Sequence, residues 1–375
     1  MKILITGGAG FIGVHLTRHL LAHGHSITVL DNFLPQVHGE KKQLPADLAS
    51  HVRLVPGDVA DETAMRTALD GVECVVHLAA ETGTGQSMYQ ITRYGHTNLM
   101  GTSTLFNLLV GGAAGKVERV VVASSRAIYG EGAYHCDNHG LVYPSPRSTA
   151  DKKRNLFDPL CPLCGEGCIS VPTPETAPLS PSSWYGLTKQ VQEQMTLMFA
   201  QVLGFPAFAL RYQNVYGPGQ SLSNPYTGIL AVFSNLAREG KPIQIFEDGQ
   251  ESRDFVFIDD VVQATAAAIQ SPQAGGHSLN VGSGKRTSVL DVARGINAFY
   301  GGRSTVAVTG AFREGDIRHG LADLTEAARL LDYRPGWQFT DGLRRFLAWA
   351  SDSSPDSTGY ESSLAEMRAR GLLRD

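Results

Sequence analysis

Tyr185 and Lys189 stand four residues apart in Tyr185-Gly186-Leu187-Thr188-Lys189. On a helix that spacing puts a phenol and an ammonium on one face. A phenol of pKa ~10 is a poor base at neutral pH. A neighbouring ammonium and a positively charged nicotinamide ring would favour the phenolate and bring it into acid/base range. Ser124-Ser125 adds two hydroxyls at the end of an apolar run, Arg119–Ala123. Together they form a catalytic group of Ser125, Tyr185 and Lys189, with Ser124 beside the nicotinamide. A second pattern, Thr6-Gly7-Gly8-Ala9-Gly10-Phe11-Ile12-Gly13, joins the apolar run Lys2–Thr6 to Phe11–His23, which has helical spacing. Gly7 allows a tight turn, Gly10 lets the backbone approach a pyrophosphate, and Gly13 lets helix and strand pack closely. Free N–H groups at the helix start, with Phe11 and Ile12 in its first turn, suit the phosphates. Asp31 ends the run Ser26–Leu30, 18 residues after Gly13, and is followed by Asn32. A carboxylate there accepts from a ribose 2′-hydroxyl and repels a 2′-phosphate, which favours NAD over NADP. Asp58 and Val59 follow the third apolar run and are placed for the adenine end. Leu78, Ala79 and Ala80 follow the fourth, where small side chains leave room for a cofactor.

Cysteines supply a third pattern. Cys161-Pro162-Leu163-Cys164 has the spacing of a metal knuckle, and Cys136-Asp137-Asn138-His139 offers a second pair. Those four residues make a Cys₃His set suited to a structural zinc. Cys168 or His135 could replace His139. A zinc clip would explain how an irregular stretch of fifty residues keeps its shape. The competing reading is a loop of reduced thiols. Cys74 sits in an apolar run and reads as a small core hydrophobe.

These groups need a scaffold, and the run of elements supplies one. Short apolar runs alternate with helical stretches through Ala123, which implies right-handed βαβ units and a doubly wound parallel sheet covered on both faces. The rhythm breaks over residues 130–182, rich in Pro, Gly, Cys, His and Ser, and resumes with a helix near Ser183–Leu203. The expected division is a Rossmann domain over 1–211 carrying the 130–182 insertion, then a smaller lobe over 212–350. Residues 240–270 return to the first domain, and 351–375 form a loosely held tail. The 375 residues hold 41 glycines, 32 basic and 36 acidic residues, for a formal charge of −4. With 42 % hydrophobic and 18 % charged residues the chain is not disordered. No basic face marks it for nucleic acid or anionic lipid, and no apolar run approaches the ~18 residues of a membrane span. Five cysteines, three of them within 161–168, make a poor disulfide framework. A soluble, reduced, cytoplasmic protein follows.

The glycine pattern, the run Ser124-Ser125-Arg126-Ala127-Ile128-Tyr129-Gly130 and Tyr185-x-x-x-Lys189 resemble the extended short-chain dehydrogenase/reductases, specifically the nucleotide-sugar epimerases and dehydratases. The resemblance runs from Met1 to about Trp349. It implies that Tyr185 is the acid/base, that Lys189 binds the nicotinamide ribose and tunes Tyr185, and that Ser125 assists. It places Asn98 at the helix position that fixes the lysine. Asn214 in Arg211-Tyr212-Gln213-Asn214-Val215-Tyr216-Gly217 would hold a substrate diphosphate. Arg253 and Arg313, the latter followed by Asp316, would match the family's two diphosphate-binding arginines. Two guanidinium forks suit a diphosphate better than two point charges. The other reading of those arginines is ordinary salt bridges to Glu251 or Asp316.

Residues absent from the pattern narrow the reaction. The family's 4,6-dehydratases carry an acid pair after the Ser/Thr, and its decarboxylating members a Glu. Here Arg126-Ala127 follows Ser125. Asp31 speaks against an NADPH-dependent reductase. The expectation is an epimerase that oxidises carbon 4 of a nucleotide-sugar, lets the 4-keto sugar turn, and returns hydride to the other face. The alternatives are a net oxidoreductase and an epimerase of a UDP- or GDP-sugar. Gly85-Gln86-Ser87-Met88-Tyr89, the cysteine insertion and Gly315-Asp316-Ile317-Arg318-His319 are similar to dTDP-L-rhamnose 4-epimerases and their near relatives. That likeness makes Gln86, Ser87 and Arg126 candidate sugar contacts. In the family two helices from each subunit form a dimer bundle. Apolar stripes here, Leu99, Leu105, Phe106 and Leu109 with Leu187, Val191, Met195, Met198 and Val202, would serve a homodimer.

Overall fold

The computed structural model describes residues 1–40, 42–112, 116–226 and 228–374. Five strands lead the chain: β1 (Lys2–Thr6), β2 (Ser26–Asp31), β3 (Val52–Pro56), β4 (Cys74–His77) and β5 (Arg119–Ser125). Three short ones follow in the insertion: β6 (Tyr134–Cys136), β7 (Gly140–Val142) and β8 (Ile169–Ser170). Then come β9 (Ala207–Tyr212), β10 (Asn214–Tyr216), β11 (Ile243–Ile245), β12 (Ser252–Phe257) and β13 (Gly276–Val281). The chain closes with β14 (Arg286–Ser288), β15 (Val306–Val308), β16 (Phe312–Arg313) and β17 (Leu373–Arg374).

The main sheet has seven strands in the order β13-β9-β5-β4-β1-β2-β3, and its pairings are parallel. The central strands are apolar on both sides because both faces are covered. Ile3, Ile5, Val29, Val76, Val121, Phe208 and Leu210 feed one core, and Leu4, Leu30, Val75 and Val120 feed the other. The order reverses between β1 and β4, so the crevice at the carboxyl ends opens there. Helix Trp184–Leu203 carries the Tyr-x-x-x-Lys pattern in its first turns. Ser183 caps it by accepting from Gly186 N–H, and Gly204, at φ +76°, ends it.

Three differences from the expected organisation have physical causes. The strand that re-enters the main sheet is β13, with helix Ile258–Gln270 packed on the sheet; β11 pairs with β15, and β12 with β10 and β14. The expected loose tail is ordered. Helix Thr358–Ala369 buries Leu364 and Met367, and β17 pairs antiparallel with β16. Its apolar anchors are sparse along a Ser-rich stretch, and they become core only against Ala311 and neighbours far off in sequence. Asp375 lies outside the described residues. The expected dimer stripe also divides: Leu105, Phe106 and Leu109 are buried in the chain's own core, while Leu187, Met198 and Val202 are exposed.

Candidate active site

The glycine turn forms the floor of a cavity of about 470 Å³ at the switch point. Gly7 has φ +68°, and a Cβ there would sit 2.8 Å from Ala79 N, so only glycine fits. A Cβ on Gly13 would lie 2.5 Å from Gly8 Cα, so the helix start is pressed onto the turn. Gly10 precedes helix Phe11–Ala22 and gives it no side-chain cap. Its first N–H groups are thus left for a ligand, which is what a pyrophosphate needs. Gly7, Gly10, Phe11, Ile12, Gly13, Asp31, Asn32, Val59, Leu78, Ala79, Ala80, Ser124, Tyr185 and Lys189 all line this cavity. The Asp31 carboxylate is braced by Ala9 N–H at 3.0 Å and Phe33 N–H at 2.8 Å, which fixes it at the end of β2. Buried Gln213 Oε1 and Gln220 Oε1 belong to residues lining the same space and have no partner among the described residues. Unpaired buried acceptors are costly unless a ligand completes them, so the residues present fit a dinucleotide.

A second cavity, about 300 Å³, adjoins the first. The two share Gly83, Ser125, Tyr185, Gln213, Asn214, Tyr226 and Gly228. The reactive hydroxyls therefore stand where the two spaces meet. Arg126, Arg253, Arg313 and Asp316 line the second cavity. Arg126 Nε donates to Asn214 Oδ1 at 2.7 Å. Arg253 Nη2 donates to Asp316 Oδ1 at 3.0 Å, and Arg313 lies over the Phe246 ring with its buried Nε unpaired. Burial pushes the Asp316 carboxyl up, but Arg253, Arg313 and Arg126 outweigh it and hold the group below its ordinary range. Three guanidiniums around one carboxylate leave net positive charge for an anionic ligand.

Tyr185 corrects one expectation. Burial raises its pKa, opposed by a hydrogen bond from Ser125 and the Arg126 charge. Lys189 Nζ instead donates to Ala123 O at 2.9 Å, and burial lowers its pKa to about 7. The spacing of Tyr185 and Lys189 therefore does not by itself set the protonation of the phenol. Ser124 also turns inward, donating to Glu193, which pairs with Arg211 beneath the strand end.

Four other expected contacts lie off the cavities. Asn98, in a π-helical stretch, accepts from Glu81 N–H at 2.8 Å and donates to Thr188 Oγ1 at 2.9 Å, so it fastens the lysine's neighbour and a cavity loop. Asp58 takes Asn32 Nδ2 and Ala60 N–H, each at 2.9 Å, while its neighbours Gly57 and Val59 line the space. Gln86 is spent on Gln36 and Gln90. Ser87 accepts Tyr185 N–H at 3.0 Å. The short helix Thr84–Ser87 presents Thr84 and Gly85 to the second cavity and turns 86–87 away, a phase that sequence spacing does not reveal.

Sequence reasoning missed Tyr360, Ser363 and Met367 from the ordered tail, and used Glu251 only as a salt-bridge partner. Glu251 lines the second cavity, its Oε2 is buried and unpaired, and burial followed by repulsion from Glu247 raises its pKa to about 7. In the insertion, Cys136, His139, Cys161 and Cys164 place four ligand atoms within 4.8 Å of one another. His135, exposed, instead faces Asp137 at 3.7 Å.

The family model for the NAD dependent epimerase/dehydratase family matches residues 3–149 and 162–282. A dTDP-L-rhamnose 4-epimerase of Burkholderia thailandensis is 41 % identical over 350 residues, covering 93 % of this chain and 94 % of that one. The UDP-glucose 4-epimerase of Thermotoga maritima, solved with UDP-glucose, superposes with a TM-score of 0.75 at 27 % identity, over 94 % of this chain and 99 % of that one. The Bacillus cereus UDP-glucuronic acid 4-epimerase, solved with UDP-glucuronic acid and NAD, gives 0.73 at 26 % identity, with the same 94 % and 99 % coverage. With the glycine turn, the Ser125–Tyr185 junction and these matches agreeing over nearly the whole length, the chain belongs to the NAD dependent epimerase/dehydratase family.

Proposed function

We propose that this enzyme is an NAD-dependent nucleotide-sugar 4-epimerase acting on a dTDP-6-deoxyhexose such as dTDP-L-rhamnose. The observation that carries the reaction is the meeting of two cavities at Ser125 and Tyr185, with arginines lining the second. The 41 % identical relative supports the choice of sugar. Bound in the first cavity, NAD accepts hydride from carbon 4 and returns it. Tyr185 takes the proton of the 4-hydroxyl and gives it back, with Ser125 hydrogen-bonded to the phenol. Lys189 holds the ribose and, once its ammonium is charged, favours the phenolate. Arg253 and Arg313 hold the diphosphate, and Arg126 with Asn214 borders the sugar. Anchored only at the diphosphate, the oxidised sugar can turn in the space beside Tyr185. The dinucleotide would lie mainly against 1–211 and the sugar nucleotide mainly against the segments beyond, with Ser125, Tyr185, Gln213 and Asn214 facing both.

A homodimer is part of the proposal, with exposed Met100, Leu187, Met198 and Val202 as the surface a second copy would cover. So is a reduced, cytoplasmic setting, which suits five free cysteines. Among the described residues no helix is long and apolar enough to cross a membrane. The proposal also includes a structural zinc. The test is incubation with dTDP-, UDP- and GDP-sugars, read by proton NMR for epimers and at 340 nm for NADH. Two dTDP-6-deoxyhexoses equilibrating without net NADH is the expected result. Stoichiometric NADH would make the protein a net oxidoreductase.

A further inference from the structure

Residues 130–182 have little regular structure to hold them: strands of three, three and two residues and one five-residue helix. Their local core is small, built on Tyr134, Cys136, Val142 and Cys161. That core is small for fifty residues, so contacts with the rest of the chain, or a further constraint, must help to order them. Cys136 Sγ lies 3.7 Å from His139 Nδ1 and 3.7 Å from Cys164 Sγ, and Cys161 Sγ lies 3.6 Å from His139 Nδ1. A zinc tetrahedron with Zn–S near 2.3 Å and Zn–N near 2.0–2.1 Å has edges of roughly 3.5–3.8 Å. Those three spacings match such edges, and all four ligand atoms lie within 4.8 Å of one another. Three thiols and an imidazole gain little from one another as weak hydrogen-bond partners. A Cys136–Cys164 disulfide would leave Cys161 and His139 unpaired in the same space. Both turns are shaped for ligation: His139 N–H donates to Cys136 O, and Gly165, at φ +75°, closes the other with its N–H on Cys161 O. Cys168 packs beside the cluster, its Sγ donating to Glu166 O, and is not one of the four whose ligand atoms converge.

We infer that Cys136, His139, Cys161 and Cys164 bind one zinc ion, and that this zinc sets the position of Arg253 in the neighbouring cavity. The second half rests on the nucleotide-sugar reading above. Glu131 lies five residues before Cys136, and Asp158 three before Cys161. Glu131 accepts Arg147 Nε at 3.0 Å and Arg318 N–H at 2.8 Å. Asp158 accepts Arg318 Nε at 2.7 Å, and Phe157 O accepts Arg147 Nη1 at 2.9 Å. Glu247 and Asp248 hold the same two arginines from the other side, so the insertion and the 247–248 turn together fix the 316–318 segment, with Arg147 Nη2 on Asp316 O at 3.0 Å. Arg253 is then held by that segment, through Arg318 O at 3.0 Å, Ile317 O at 2.9 Å and the Asp316 carboxylate at 3.0 Å. A closed set of four protein ligands is structural, and the free thiols give up their protons when the ion binds. The ion orients Arg253 without touching substrate.

The test uses the full chain purified without chelator or added metal. Elemental analysis is expected to give about one zinc per chain. Cys161→Ser and Cys164→Ser lose it, while His139→Cys and Cys168→Ser keep it. Cobalt in its place gives the intense visible bands of a tetrahedral thiolate site. Substoichiometric metal in wild type, or full zinc in Cys161→Ser, overturns the site. Calorimetry with dTDP alone and with NAD tests the coupling. In Cys164→Ser dTDP binding weakens about tenfold, the worth of one charged hydrogen bond, with NAD affinity within twofold. Unchanged dTDP affinity after zinc loss overturns the positioning of Arg253. A wild type that takes zinc but no dTDP refutes the substrate reading and leaves the metal site standing.

Discussion

The first cavity is floored by the glycine turn and the ends of β1, β2 and β4, whereas the second, which holds the arginines, draws on segments as distant as 83–85, 125–127, 244–253, 313–316 and 360–367. A backbone cradle needs glycines at fixed spacing, because φ +68° at Gly7 and the 2.5 Å approach at Gly13 admit nothing else. A side-chain cradle needs only that charges converge, and many spacings achieve that. Net positive charge therefore gathers in the second cavity with no local pattern to announce it.

The junction between the cavities should be the most sensitive point. Tyr185→Phe is expected to lower kcat by roughly 10²–10⁴ while NAD and nucleotide-sugar binding stay nearly intact. Retention of more than about a tenth of wild-type kcat would move the proton to Ser125 or a water. Next in size, Arg313→Ala should raise KM for the nucleotide-sugar about 10–100-fold, through one lost charged contact, and leave NAD affinity unchanged in a fluorescence titration. An equal loss of both would mean the cavities are not separable.

Glu251 sharpens the contrast through pH. Its carboxyl titrates near 7 in the folded chain against ~4.3 unfolded, so its contribution is fully present below the unfolded value and lost as pH rises through 7. Glu251→Gln should remove that loss. Its stability relative to wild type should climb by up to about 3 kcal/mol between pH 4 and 8 in denaturant titrations of the ligand-free protein. A pH-independent difference would place Glu251 in an ordinary ionised state. The smallest effect belongs to Gln86→Leu. Its amide faces Gln36 and Gln90 rather than either cavity, so KM should move by less than about threefold, with the loss appearing as a lower Tm. A larger KM effect would return Gln86 to the sugar.

The alternation of apolar runs with helical stretches, the turn at Gly7–Gly13 and the Tyr185–Lys189 spacing were legible because each depends on residues near one another in the chain. Gln86 and Ser87 were misplaced because a four-residue helix presents only half its residues to a cavity, and its phase is set by packing against Tyr185 and Gln36. The tail was misread because Leu364, Met367 and Leu373 bury themselves against partners that no local pattern identifies.

By itself the sequence determined the parallel sheet, the glycine cradle at its switch point and the residues able to do acid/base chemistry, since backbone geometry and helical spacing are short-range rules. The tertiary structure alone decided the surroundings and the partners of those residues. It buried Lys189 against Ala123 O and raised Tyr185 by desolvation, because low-dielectric surroundings govern a charge more than its neighbour four residues away. It also gathered Arg126, Arg253, Arg313 and Asp316 from three segments of the chain into one cavity, a convergence that only long-range packing can produce.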